Sequence, residues 1–307
     1  MNYPELIFLG DSHTCYFDYG IKKGLYKPYK ASTCIVDEAT ALGLKDSDSF
    51  TGESKRFREF LIDKPKNSYI FLHLGEVDCG VLIWFEAQKN QISVQDQAKQ
   101  SIDAYFEFIE GLRSEGYNNI IITSATLPTI NDDDHASEIV LLRKQKVSAT
   151  FQERTDLTVY FNKLLRTRAK KVGIQFIDVT TSFIDRATNF THLKFRNKKL
   201  GDHHMDNNYA SVVWSKHIND FIQSNHRLST SKSIRIAKVD TFVKALDVLA
   251  KDLSNDLIVN VKNGDKLIFE VIDHYGKTIV IKNAKLNGRK LKDTFKFIHA
   301  PHFNEYT

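Results

Sequence analysis

The sequence predicts an α/β protein: a parallel sheet covered by helices on both faces, followed by a small α+β unit. Four short apolar runs are nearly continuous in hydrophobicity instead of alternating, which suits strands buried on both faces. Helical stripes lie between these runs. A strand–helix–strand alternation implies right-handed crossovers and therefore parallel strands. After Gln223 the chain changes character, and that change marks the second unit.

The first strand is ELIFLG, Glu5 to Gly10, an apolar run ended by glycine. The second is SYIFLHLG (Ser68 to Gly75), the third lies in NNIIITSATLP (Asn118 to Pro128), and the fourth in GIQFIDVT (Gly173 to Thr180). Between the second and third runs, Ser93 to Gly116 carries Ala98, Ile102, Tyr105, Phe106, Ile109 and Leu112 at helical spacing, opened by a Ser cap. Glu153 to Gly173 repeats the pattern with Leu157, Tyr160, Phe161, Leu164 and Leu165, and stops at a glycine after a basic last turn. Asn207 to Gln223 is a third helix. Ser224 to Arg235 reads as a polar linker, Ile236 to Leu253 as an amphipathic helix, and DLIVNV, KLIFEVID and TIVIKN as strands separated by KNGD and HYGK turns. The expected division is 1–228 and 229–307.

Composition narrows the function classes. Of 307 residues, 42% are hydrophobic and 26% charged, so the chain can bury a core and is not a disordered segment. A net charge of +5, spread without a basic stripe, gives no argument for nucleic acid as a partner. Three cysteines (Cys15, Cys34, Cys79) do not make a disulfide framework. No apolar run reaches the ~20 residues of a membrane helix. MNYPELIF lacks the basic start and apolar core of a signal peptide. The expectation is a cytoplasmic protein without an integral membrane segment.

Polar residues follow the strand ends: Gly10-Asp11-Ser12-His13, then Gly75-Glu76-Val77-Asp78, then Asn131 to His135. In parallel α/β sheets ligands bind beyond the carboxyl ends of the strands, so these residues converge on one edge. Ser12 alone is as well explained by helix capping. A nucleophilic serine also needs a base and oxyanion donors. The block Gly201-Asp202-His203-His204, just before the third helix, supplies an imidazole, and Asp202 can orient it. Capping by Asp206 or Asn207 with exposed histidines is the bland alternative. Glu76 and Asp78 face the same edge, with capping and loop solvation as their ordinary roles. Trp84 and Phe85 suit either core packing or stacking on a sugar.

FLGDSHT, LHLGEVD and GDHHMD together resemble the SGNH (GDSL-like) hydrolase superfamily over roughly residues 4 to 223. The resemblance implies a flavodoxin-like three-layer α/β/α sandwich and ester or acyl chemistry without a cofactor or metal. By it, Ser12 is the nucleophile and offers its backbone N–H to the oxyanion, His204 is the base and Asp202 the carboxylate. Gly75 is the second oxyanion contributor, and Asp11, Glu76, Asp78 and His203 lie in the site. The implied substrate is a small-molecule or glycan ester, with hydrolysis or O-acetyl transfer as the outcome and an acetyl donor in the second case. Three departures stand out. Val77 replaces the family's oxyanion asparagine, Asp202 lies two rather than three residues before His204, and the glycine expected after the second strand has only Gly43 as a candidate. Two other readings remain open: a metallophosphoesterase-like centre on Asp11 and His13, and a degenerate site that only binds glycan. Asn131 to His135 is a solvated loop or an oxygen site for Ca²⁺ or Mg²⁺.

Overall fold

The computed structural model describes residues 3–46, 48–132, 148–199 and 201–229, and beyond these the segments 234–235, 257–260, 266–275, 278–286, 289–290 and 294–298. The chain divides into two units, Met1–Asn219 and Asp220–Thr307.

The first unit holds a five-stranded, all-parallel sheet. Its strands are β1 (Leu6–Gly10), β2 (Ala31–Ile35), β3 (Tyr69–His73), β4 (Ile120–Thr123) and β5 (Gln175–Ile177), in the order β2-β1-β3-β4-β5. This is the doubly wound flavodoxin-like order, whose topological switch lies between β1 and β3. Around the sheet lie α1 (Cys15–Lys22), α2 (Glu53–Leu61), α3 (Ile83–Asn90), α4 (Val94–Ser114), α5 (Phe151–Val172), the single turn α6 (Thr180–Phe183) and the part of α7 (Asn207–Ser229) up to Asn219.

Side chains alternate along a strand, and here both faces are apolar. Ile7, Leu9, Ile70, Leu72, Ile120 and Ile122 pack against Phe57 and Leu61 of α2, Ile102 and Ile109 of α4, and Leu157, Phe161 and Leu165 of α5. On the opposite face Phe8 stacks on Phe17 of α1 at 4.6 Å and on Phe71 at 5.0 Å, while Trp214 of α7 meets Phe17 edge-on at 5.3 Å. The near-continuous apolar runs in the sequence are the record of this double burial.

The long helices begin and end where their residues direct. The Ser93 side chain accepts from the Asp96 N–H at the start of α4. Thr150 and Glu153 form a full capping box on α5, and Gly173 closes it in the left-handed conformation at φ +73°. Strand β2 was not legible beforehand: ASTCI is half polar, and each of its residues is only partly buried, as befits a sheet edge. Helix α7 runs to Ser229, so residues 224–229 are helix where the sequence suggested linker.

The second unit contains β6 (Ile234–Arg235), β7 (Leu257–Asn260), β8 (Lys266–Tyr275), β9 (Thr278–Leu286), β10 (Arg289–Lys290) and β11 (Thr294–Ile298). They form one sheet in the order β10-β9-β8-β7-β6, with β11 also on β9. β7, β8 and β9 are the three strands expected from the sequence. The helix expected at 236–253 and the KNGD turn lie outside the described residues.

Candidate active site

The end of β1 is built by close backbone approach. A Cβ on Gly10 would lie 2.0 Å from the His73 carbonyl oxygen of β3, so only glycine lets the two strands meet there. The Asp11 N–H then donates to that carbonyl, and the Asp11 side chain caps the next turn by accepting from the His13 N–H at 2.9 Å. Ser12 heads a 3-10 turn, Ser12–Thr14, that runs into α1. Backbone N–H groups at such a start have no intrahelical acceptor. Ser12 is partly exposed, and its hydroxyl makes no hydrogen bond among the described residues.

Beyond β3, Gly75 turns the chain at φ +118°, a conformation that disfavours any side chain. Glu76 is buried, with Oε2 3.7 Å from His13 Nδ1. Asp78 is also buried, but its carboxylate faces elsewhere: it accepts from the Ala41 N–H at 2.7 Å and the Leu42 N–H at 3.3 Å. Asp78 therefore braces the loop after β2. Glu53 braces the same loop, accepting from the Thr40 N–H and from the hydroxyls of Thr40, Ser49 and Thr51. Gly43 packs against this carboxylate, and its N–H is taken by Thr40 Oγ1 at 2.9 Å. The three amides of residues 41 to 43 are thus committed to holding the loop. Val77 contributes no donor from its side chain, as the sequence foretold.

The third piece is the turn before α7. Asp202 Oδ1 lies 2.8 Å from His204 Nδ1 and also accepts the His204 N–H at 3.1 Å. A spacing of two residues suffices because Asp202 closes a tight Asx-like turn onto its own histidine. This turn is fixed from three sides. Thr129, in the loop after β4, donates its hydroxyl to the His203 carbonyl. The Met205 N–H donates to Tyr16 Oη of α1 at 3.1 Å, and Arg196 pairs with Met205 as an isolated antiparallel bridge.

These contacts bring the His203–His204 turn onto the end of β1. The His204 ring centroid is 4.7 Å from that of His13, the residue after Ser12, and the His203 ring is 5.1 Å from it. His203 and His204 stack on each other at 4.1 Å. One ligating nitrogen from each of the three imidazoles lies within 4.8 Å of the other two. Asp11, His13, Glu76, Asp202, His203 and His204 thus gather at the β1/β3 switch, with Ser12 between Asp11 and His13 in the chain, while Asp78 is turned to the loop after β2.

Electrostatics separate the groups. Burial raises the Asp11 carboxyl to about 6, against the pull of nearby histidines and the His13 N–H. Burial holds His13 well below the ordinary imidazole value, helped by His204 and His203. For Asp202, burial works upward, but the two hydrogen bonds from His204, together with the charges of His204 and His203, outweigh it and keep the carboxyl below its usual range. Asp202 is therefore an ionised partner for His204 at neutral pH. Burial likewise lifts Cys15 to about 12, so this nearby thiol is no nucleophile.

The sequence did not single out Tyr16 or Thr129, and it offered Asn207 only as a helix cap; the Asn207 side-chain oxygen accepts from Cys15 Sγ at 3.3 Å. Tyr16 lies four residues after Ser12, one helical turn along the same face, and that spacing was the available signal. Trp84 and Phe85 pack around Ile130, and the Trp84 indole N–H is committed to the Cys79 carbonyl at 2.7 Å. Of the Asn131–His135 loop, residues 133–135 lie outside the described residues.

No family model matches the chain, and no curated protein matches it. Among solved structures, it is similar to several esterases and a lipase. A carbohydrate acetylesterase family member from Sinorhizobium meliloti is 14% identical, with 72% of this chain and 98% of that chain covered at a TM-score of 0.47. A GDSL-like lipase from Bacteroides thetaiotaomicron is 14% identical, with 72% and 88% covered at a TM-score of 0.43. An acetyl xylan esterase is 15% identical, with 71% and 99% covered at a TM-score of 0.42.

Proposed function

We propose that this protein cleaves esters by a serine route, with Ser12 as nucleophile, His204 as base and Asp202 as its orienting carboxylate. The observation that carries the proposal is the 2.8 Å contact between Asp202 Oδ1 and His204 Nδ1, on a turn held against the end of β1. A carboxylate on Nδ1 fixes the tautomer that leaves Nε2 as the proton acceptor.

In the first step Ser12 Oγ bonds to the ester carbonyl carbon, and its proton passes to His204 Nε2. The Ser12 N–H, with Gly75 as the proposed second donor, receives the negative charge that develops on the carbonyl oxygen. The tetrahedral species collapses, His204 returns its proton to the departing alcohol, and an acyl-Ser12 remains. A water, or the hydroxyl of an acceptor, repeats the sequence in reverse and frees Ser12. The first acceptor gives hydrolysis, the second O-acyl transfer. A small acyl group such as acetyl, carried on a carbohydrate, is the substrate class we favour. Val77 leaves the oxyanion with fewer donors than an asparagine would provide, and a lost donor costs ~100- to 1,000-fold in rate. Modest turnover is therefore expected.

The test is p-nitrophenyl acetate turnover by wild type and Ser12→Ala, each with and without EDTA, repeated with an acetylated sugar. Turnover that vanishes in Ser12→Ala and is indifferent to EDTA supports the serine route. Turnover that survives Ser12→Ala overturns it.

A further inference from the structure

We propose that His13, His203 and His204 form a binding site for a divalent transition metal of the zinc class, and that metal bound there withdraws His204 from ester cleavage. The inhibitory half rests on the serine reading above; the binding half does not.

The geometry comes first. Three imidazole nitrogens from two separate chain segments lie within 4.8 Å of one another. At that outer limit each nitrogen is about 2.8 Å from their common centre, and zinc–nitrogen bonds of ~2.0–2.1 Å require an inward movement of less than about 1 Å per ring. His203 and His204 already stack face to face with centroids 4.1 Å apart. Imidazole is a donor that zinc, copper, nickel and cobalt favour over calcium or magnesium. Three such donors leave a fourth position open.

The second observation concerns His13. It is fully buried, and its ring nitrogens are only loosely held: the carboxylates beside it are not aligned for hydrogen bonds, while the His203 backbone lies close enough to favour the protonated ring. A buried imidazole held this loosely keeps lone-pair capacity for a further ligand, and an ion is one of the occupants that accounts for such a group. Asp11 Oδ1 lies 3.3 Å from His13 Nδ1, and Glu76 Oε2 3.7 Å. Both carboxylates lie at Nδ1, the arrangement that points Nε2 away from them as a donor to a metal. Asp202 does the same for His204. Metal-ligating histidines characteristically hand their other nitrogen to a carboxylate in this way. Asp202 and Asp11 thereby serve as outer partners whichever occupant the imidazoles meet.

This site differs from a centre on Asp11 and His13, because no carboxylate belongs to the trio. It is also independent of the cysteines, so bound Co²⁺ should show no thiolate charge-transfer band.

Zn²⁺ affinity is measured on the full-length protein by competition with a chromophoric chelator, alongside ester turnover at rising Zn²⁺. Wild type is expected to bind one equivalent. His203→Gln and His13→Gln should each abolish that equivalent, and Asp202→Asn should weaken it by ~10- to 100-fold. Ser12→Ala should bind as wild type does while losing turnover, which separates the two halves. Wild-type turnover should fall in step with metal occupancy, and any turnover left in His203→Gln should resist Zn²⁺ at the concentration that silences wild type. Circular dichroism confirms that each variant is folded. Binding that persists unchanged in His203→Gln, or no binding by folded wild type, overturns the site. Stimulation by Zn²⁺ overturns the inhibitory role.

Discussion

At the scale of single residues, the site depends on positions where one atom more would not fit. Gly75 is the sharpest case. Its φ of +118° is strained for any side chain, and a Cβ there would come within 2.6 Å of the Phe161 ring and 2.9 Å of Ala125 Cβ. Gly75→Ala should destabilise the protein by about 2–3 kcal/mol, read as a lower urea midpoint at unchanged slope. The two histidines offer a second residue-scale prediction. His204 holds Asp202 on one nitrogen and is the proposed base, whereas His203 is assigned no proton transfer. His204→Ala should lower kcat for p-nitrophenyl acetate by three orders of magnitude or more, on the order seen when a triad member is removed. His203→Ala, assayed with EDTA present, should cost far less; the reverse order would show that His203 is the base. Ser12 stood out in the sequence because it follows an apolar strand directly, and Asp202 and His204 because an Asp-His-His block stands just before a helix. The close approach of His13 to the two histidines could not be read from spacing, since it arises only when the turn at 202–205 folds back onto β1.

At the scale of elements, the loop after β4 links the scaffold to the site. Asn162 of α5 accepts the Ala125 N–H at 2.7 Å and donates to the Ala125 carbonyl at 3.1 Å, satisfying both backbone groups of a buried residue. Four residues on, Thr129 holds the His203 carbonyl. Asn162→Leu would leave both Ala125 groups without partners, and a buried unsatisfied group costs about 1–3 kcal/mol. The expected loss for the two groups is therefore about 2–6 kcal/mol, measured by urea unfolding, together with a fall in ester turnover. Stability lost with turnover unchanged would mean that the β4 loop does not position the His203–His204 turn. Elements with long periodic stripes and caps, α4 and α5 above all, were readable from sequence. Short or half-polar ones were not: ASTCI hides an edge strand behind Ser32 and Thr33, and α7 continues through the polar residues 224–229 because helical hydrogen bonding outlasts the apolar stripe.

At the scale of the whole molecule, buried ionisable groups set how stability follows pH. Burial raises Asp11 to about 6 and Asp78 to about 7, the latter against hydrogen bonds from Ala41 and Leu42. Burial lowers His73 to about 4 and His13 well below its ordinary value. A raised carboxyl stabilises the fold below the unfolded value and loses that contribution as pH climbs through the folded one. A lowered imidazole does the opposite: its contribution is present above about 6.5 and is lost as pH falls toward the folded value. Between about pH 5 and 6 the folded chain thus keeps protons on two carboxyls that the unfolded chain has released, and lacks them on two imidazoles that the unfolded chain carries. The two effects offset, and stability should be nearly flat across this window. Asp78→Asn removes one retained proton from the folded state. The slope of unfolding free energy against pH should then rise by about 1.4 kcal/mol per pH unit, with the variant losing stability as the solution is acidified. Urea unfolding of wild type and variant at pH 5.0, 5.5 and 6.0 decides the matter. Parallel slopes would show that Asp78 is ionised in the fold and that its grip on Ala41 and Leu42 is a charged one.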